Sequence, residues 1–211
     1  MNRRAMIHRL RPALALPALA LLAPIALAAC GAGGESPTTA ERPPLEGAAI
    51  GGPFTLVNKD GKTVTWNDFK GQYRVVYFGY TFCPDACPLD MQELMKGYAQ
   101  FQKLSPERAA KVTPIFITID PQRDTPEVVG QWTGAFSPQL VGLTGTPDQV
   151  GAAAKAFAAY SAKGKETAGG YLMDHSRNAY LMDPDGKPLA LLLPIEPGGP
   201  GVAAVLDKWV K

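Results

Sequence analysis

Cysteine and histidine are both scarce in this 211-residue chain, with three of the former and two of the latter. So few cysteines exclude a disulfide-dense scaffold. With 46% apolar and 19% charged residues, the composition also excludes a largely disordered or collagenous chain. Acidic residues are missing from residues 1–29, where Arg3, Arg4, Arg9 and Arg11 stand. The rest of the chain holds 17 basic groups against 19 acidic ones, so it lacks the positive excess of a nucleic-acid footprint and no nucleic-acid partner is expected. There is no glycine-rich nucleotide-binding fingerprint and no internal repeat. What remains for chemistry is the cysteines and His175, because His8 falls within the basic leader.

Pro12 to Ala29 is an uncharged run of Ala, Leu and Pro, closed by Leu27-Ala28-Ala29-Cys30-Gly31. A short basic start, an apolar stretch and small residues at its end read as an export signal. An uncleaved anchor is the alternative, since 18 uncharged residues reach the lower end of the roughly 17–25 that span a bilayer. Pro17 and Pro24 weigh against it. Leu27-Ala28-Ala29-Cys30 resembles the bacterial lipobox, which implies cleavage before Cys30 and lipid attachment there. The expected layout is a signal peptide over 1–29, a lipidated Cys30 with a flexible Gly/Ser/Pro-rich tether over 30–52, and one domain over 53–211. Export by either route places that domain on a membrane, facing the periplasm or an equivalent extracytoplasmic space.

Within the domain, Phe54–Val57 and Lys62–Thr65 flank Asn58-Lys59-Asp60-Gly61, a hairpin signal because Asp-Gly tolerates the positive φ of the turn. Tyr73–Phe78 reads as a central strand ending at Gly79. Pro88 opens a helix whose apolar stripe is Leu89, Met91, Leu94, Met95, Tyr98 and Phe101. Val112–Ile119 is a second buried strand, in which Pro114 demands an irregular or edge start. Thr125-Pro126 and Thr146-Pro147 are N-cap signatures, the second leading an Ala-rich helix that ends near Tyr160. Leu140–Leu143 is a short strand, Lys163–Glu166 a mobile loop, Ala179–Met182 and Leu189–Leu193 a second hairpin, and Val202–Val210 a last helix. This order implies an α/β sandwich, a mixed sheet with helices on both faces and a hairpin in front, as in a thioredoxin-like domain.

Cys83-Pro84-Asp85-Ala86-Cys87 lies where the strand ending at Gly79 turns into the helix. A thiol there meets unpaired N–H groups and the positive end of the helix dipole, so its pKa falls. Such a pair can close a tight disulfide, act as a redox couple or offer two sulfurs to one soft ion. A purely structural disulfide ranks lower, because so short a loop stabilises little. A peroxidatic role lacks its preceding Pro and Thr, as Thr81 lies only two residues before Cys83. His175 stands 88 residues beyond Cys87, a separation that leaves their proximity open.

Phe78-Gly79-Tyr80-Thr81-Phe82-Cys83-Pro84-Asp85-Ala86-Cys87-Pro88, then Ile117-Thr118-Ile119-Asp120-Pro121-Gln122-Arg123-Asp124-Thr125-Pro126, then Asp174-His175-Ser176, together closely resemble the Sco/SenC family. The resemblance covers roughly 50–211. It implies a thioredoxin-like, membrane-tethered domain whose two motif cysteines and distal histidine bind copper, here Cys83, Cys87 and His175, one ion per chain. It further implies help in assembling the binuclear copper (CuA) site in subunit II of cytochrome c oxidase, with another periplasmic copper chaperone or a thiol reductase as a further partner. Ser176 replaces a frequent Thr and keeps the hydroxyl. The donor set suits the task, since two thiolates favour Cu(I) and an added imidazole serves Cu(II), whereas a closed zinc site wants four ligands. Asp174 is either an acceptor orienting the imidazole or a solvated loop carboxylate, and Met173 either a weak soft ligand or core. Asp120, Arg123 and Asp124 either shape the copper or partner-facing loop or cap a helix and pair locally. Two other readings stay open: a thiol–disulfide oxidoreductase using Cys83 and Cys87 without His175, and a sensor that binds copper and signals.

Overall fold

In a computed structural model of the chain, residues 41–168, 170–194 and 201–211 are described. The expected signal peptide, Cys30 and the first part of the tether lie outside them. Among the described residues no helix is long and apolar enough to cross a membrane.

The chain forms strands β1 (Thr55–Asn58), β2 (Thr63–Thr65) and β3 (Tyr73–Gly79), helices α1 (Ala86–Leu104) and α2 (Pro106–Ala109), then β4 (Val112–Thr118), α3 (Pro126–Gly134), β5 (Val141–Thr144) and α4 (Pro147–Ala156). It continues through β6 (Ser161–Thr167), β7 (Gly170–His175), β8 (Ala179–Met182), β9 (Pro188–Leu193) and α5 (Val202–Trp209). Seven strands make one sheet in the order β2-β1-β5-β4-β3-β8-β9. Its centre is parallel, β3 with β4 and β4 with β5, while β1, β8 and β9 join antiparallel. This is the mixed, thioredoxin-like sandwich that the sequence predicts.

The two faces of β3 seed two cores. Tyr73, Val75 and Tyr77 point one way, against α1, α3 and α5, where Met91, Leu94, Phe101, Val129 and Leu206 are buried. Val76 and Phe78 point the other way, against Leu56, Ile115, Ile117, Trp66 and the α4 residues Val150 and Ala153. Every residue of β3 is buried, as the two-sided apolar burial of a central strand requires. Pro114 sits in a regular central strand instead of at an irregular edge. Beside it β3 is already paired through Val75, but β5 joins only from Ile115, so no ladder bond on that side is lost.

Four other expectations are corrected. Helix α1 begins at Ala86, two residues before Pro88, which occupies the first turn where a missing N–H costs nothing. Helix α4 ends at Ala156, short of Tyr160, because Ala158 adopts φ 50° and closes a Schellman turn. In that turn Ala159 N–H donates to the Ala154 carbonyl at 2.9 Å and Ala158 N–H to that of Lys155 at 3.1 Å. Lys163–Glu166 is part of β6, which pairs with β7 in a separate two-stranded hairpin. From Glu41 onward the tether is laid against the domain. Leu45 N–H donates to the Leu189 carbonyl at 3.0 Å and Gly51 N–H to that of Ala156 at 2.9 Å, while Leu45 and Ile50 pack on the core.

Candidate metal centre

Strand β3 ends at Gly79, and residues 80–85 turn the chain into α1, so Cys83 lies in the loop and Cys87 in the first helical turn. Neither sulfur is in a disulfide. The Cys83 Sγ accepts the Cys87 N–H at 3.3 Å, a direct use of an otherwise unpaired helix-terminal donor. A Cβ on Gly79 would lie 3.1 Å from the Cys87 Sγ and 2.8 Å from the Tyr77 ring, so glycine there lets the sulfur tuck against the strand end.

The 88-residue gap to the histidine is closed by strand pairing. Because β8 runs antiparallel to β3 with Ala179 opposite Tyr77, the residues just before β8 arrive at the C-terminal end of β3. His175 Nε2 then lies 3.1 Å from Cys87 Sγ, and the donor atoms of Cys83, Cys87 and His175 all fall within 4.8 Å of one another. The His175 Nδ1–H donates to the Ser176 carbonyl at 2.8 Å, a geometry that leaves the Nε2 lone pair facing the sulfurs. Tyr77 and Tyr80 flank the ring edge-on, with centroids 6.4 and 5.9 Å away. Cys87 is fully buried, whereas Cys83 and His175 are half-buried and reachable from solvent.

The two thiols are unequal. A hydrogen bond from Cys87, helped by His175 and by the N–H groups of Cys87 and Asp85, holds Cys83 well below the ordinary thiol range against the opposing effect of burial. The same contact with Cys83, together with burial, pushes Cys87 up. One proton therefore leaves the pair early and the second stays on the buried sulfur.

Three polar clusters fix the loop. Asp124 is fully buried, and its carboxylate accepts from the Thr81 N–H at 3.0 Å, the Thr81 hydroxyl at 2.6 Å and the Thr118 hydroxyl at 2.5 Å. Burial raises its pKa, and those donors from Thr118 and Thr81 oppose the rise. Asp90, on α1 one turn beyond Cys87, accepts from Tyr77 at 2.9 Å and from Arg177 at 2.9 and 2.5 Å. Asp120 accepts from Arg123 at 2.5 Å and from the Tyr171 hydroxyl at 2.8 Å. Asp124→Asn is expected to destabilise the domain by about 1–3 kcal/mol, because an amide presents an N–H2 where one of three donors now points. Urea unfolding of the two proteins checks it; equal midpoints would refute it.

Of the residues singled out in sequence, Cys83, Cys87 and His175 come together. Asp174 does not join them. It alternates to the other side of β7, its carboxylate lies beside Gly164 of β6, and the Ser176 carbonyl takes the orienting place foreseen for it. Met173 is partly buried against the core on the Val76 face. Asp90, Arg177, Tyr77 and Tyr80 went unforeseen. A carboxylate on the apolar stripe of α1, at Asp90, was the available signal.

Two thiols and an imidazole on an accessible rim can hold one soft ion with a position open for exchange, or the sulfurs can close a disulfide. The family model described as SCO1/SenC matches residues 42–211. The chain is 47% identical over 137 residues to Protein SenC of Rhodobacter capsulatus, covering 65% of this chain and 60% of that protein. It is 42% identical over 145 residues to Protein SCO1 homolog 1, mitochondrial, of Arabidopsis thaliana, covering 69% of this chain and 42% of that protein. The chain thus matches about half of the length of these relatives. The crystal structure of Arabidopsis thaliana ScoI with copper bound superposes with a TM-score of 0.68 at 36% identity, over 77% of this chain and 96% of that one.

Proposed function

The chain belongs to the SCO1/SenC family, and on that footing we propose that it carries copper on Cys83, Cys87 and His175 and hands it to the CuA site of cytochrome c oxidase subunit II during assembly. The observation that carries this reading is the meeting of two sulfurs and one imidazole within 4.8 Å at an accessible rim. Copper is cargo here. Two thiolates suit Cu(I), the imidazole extends the set to Cu(II), and three protein donors leave room for an incoming ligand. The copper-bound ScoI structures of Arabidopsis thaliana and Bradyrhizobium japonicum, similar over about three quarters of this chain, support the choice of metal. Cys30 is the proposed lipid anchor, which holds the domain on the extracytoplasmic face of a membrane. Mass spectrometry of the membrane-extracted protein checks that: a mature chain starting at a lipidated Cys30 supports it, and an intact Met1 refutes it.

Anaerobic titration of the reduced domain with Cu(I) and Cu(II) tests the copper site. One ion per chain is expected, lost when the cysteines are oxidised or replaced in Cys83→Ser/Cys87→Ser. Reduced protein that binds copper no better than the double variant would overturn the reading. The unequal thiols favour a second activity, in which an accessible Cys83 thiolate attacks a partner's disulfide and Cys87 resolves the mixed disulfide. That activity needs both cysteines and survives His175→Ala.

A further inference from the structure

His175 ends a hairpin that is not part of the main sheet. Among the described residues, β6 and β7 pair only with each other. At its base Ser176 N–H donates to the Tyr160 carbonyl at 3.0 Å, and Tyr160 N–H to the Ser176 hydroxyl at 3.2 Å. Farther along β7 the polar contacts with the rest of the domain centre on the loop after β4, where Arg123 and Asp120 meet Tyr171, while Tyr80 meets the Met173 backbone.

Arg123 is 19% exposed and reaches in several directions at once. Its Nε–H donates to Asp120 at 2.5 Å, and its Nη1–H donates to the Tyr171 backbone carbonyl at 2.8 Å. The guanidinium lies 3.8 Å from the Tyr171 ring centre, 5.0 Å from that of Phe82 and 5.7 Å from that of Tyr80. Among the described residues its Nη2 is buried without a hydrogen-bond partner. Tyr171 closes the arrangement by donating its hydroxyl to Asp120 at 2.8 Å. Phe82 adjoins Cys83 in the chain, Tyr80 flanks the His175 ring, and Tyr171 is on the strand that ends in His175. One cation therefore touches the segment bearing the half-buried Cys83 sulfur and the segment bearing the imidazole.

We propose that Arg123 is a positioning residue, a clamp that holds the β6–β7 hairpin against the cysteine loop and so keeps His175 over the sulfurs. The inference rests on the copper reading for its consequence but not for its geometry. An open hairpin leaves the two sulfurs in place and withdraws only the imidazole. The clamp thus governs the three-donor state that suits Cu(II) and leaves the two-sulfur state that suits Cu(I) unaffected. Apparent Cu(II) affinity scales with the fraction of molecules whose hairpin is closed.

The test compares wild type with Arg123→Lys and Arg123→Ala. Lysine keeps a charge for buried Asp120, but its single ammonium cannot bond Asp120 and the Tyr171 carbonyl together while lying flat between two rings. It is the variant that guards against simple unfolding. In the reduced, metal-free proteins, amides 161–168 and 170–175 are expected to lose most of their protection from hydrogen exchange in Arg123→Lys, with β3 and β4 amides unchanged. Cu(II) affinity is expected to fall by the ratio of the two closed fractions, about threefold or more once the hairpin is open in most Arg123→Lys molecules, and Cu(I) affinity to change by clearly less. Unchanged hairpin exchange in both variants overturns the clamp, whatever copper does. Faster exchange with equal losses for Cu(I) and Cu(II), or with none, overturns its selective action on His175. If wild type binds no copper at all, the delivery reading falls, and the exchange result decides the clamp on its own.

Discussion

Arg177→Ala is expected to lower the midpoint of thermal unfolding by roughly 6–12 °C, more than its half-exposed side chain would suggest. The loss lies in what it leaves behind. Asp90 is only 4% exposed, and two of its three donors belong to Arg177. Removing one member of such a pair strands a buried carboxylate and typically costs 3–5 kcal/mol. The Tyr77 hydroxyl still donates to Asp90, and Arg177 already touches water, so the low end, about 3 kcal/mol, applies here. At roughly 2–4 °C per kcal/mol for a domain of this size, that gives the quoted shift. If the stranded charge is the cause, Asp90→Leu combined with Arg177→Ala recovers much of the lost stability. Calorimetry on the single and double variants decides it: a drop below about 3 °C for Arg177→Ala, or a double variant less stable than the single one, would refute the explanation. The pair also joins α1, which holds Cys87, to the chain just after His175, so lost stability and a loosened imidazole are expected together.

The second large effect is on thiol reactivity. Iodoacetamide is expected to alkylate Cys83 at a rate nearly constant between pH 5 and pH 8, and to leave Cys87 unmodified while the domain is folded. An ordinary cysteine, with a pKa of about 8.5, gains roughly three orders of magnitude in thiolate over that range. Cys83 is held well below it by the hydrogen bond from Cys87, with His175 and two backbone N–H groups adding to the effect. A lowered pKa means that the anion is already present at the acidic end, so raising the pH adds little. Cys87 combines full burial with an upward shift, and both slow its attack. Peptide mapping with rates at each pH separates the sulfurs. A Cys83 rate that climbs tenfold per pH unit would show that the favoured anion is absent.

Much of this site could be read from the chain because its parts carry strong local rules. Thr125 and Thr146 announce helix starts, each accepting an N–H from within its helix, and Asp-Gly marks the turns of the β1–β2 and β8–β9 hairpins. The cysteine spacing at a strand-to-helix turn is equally local. Strand β6 was hidden for a physical reason: every one of its residues is exposed or only partly buried, so no alternation of apolar and polar side chains marks it. The end of α4 was hidden because Ala158 occupies the left-handed position where glycine is the usual sign. The docked stretch 41–52 looked like a linker, since only Leu45 and Ile50 supply large apolar side chains. The meeting of Cys87 with His175, and of Asp90 with Arg177, depends on the pairing of β3 with β8, a tertiary fact that no spacing along the chain encodes.

The same topology separates the place where the chain enters the domain from the place where the sulfurs sit. Residues 41–52 bond to Leu189 near the start of β9 and to Ala156 at the end of α4, both at the pole of the sheet opposite Gly79 and His175. The seven residues of β3 run from one pole to the other, about 23 Å at the usual strand rise. The chain's entry and the metal centre therefore lie at opposite poles of the domain, about one strand length apart. A protein that docks on the centre can thus reach both sulfurs and the imidazole without displacing the stretch 41–52.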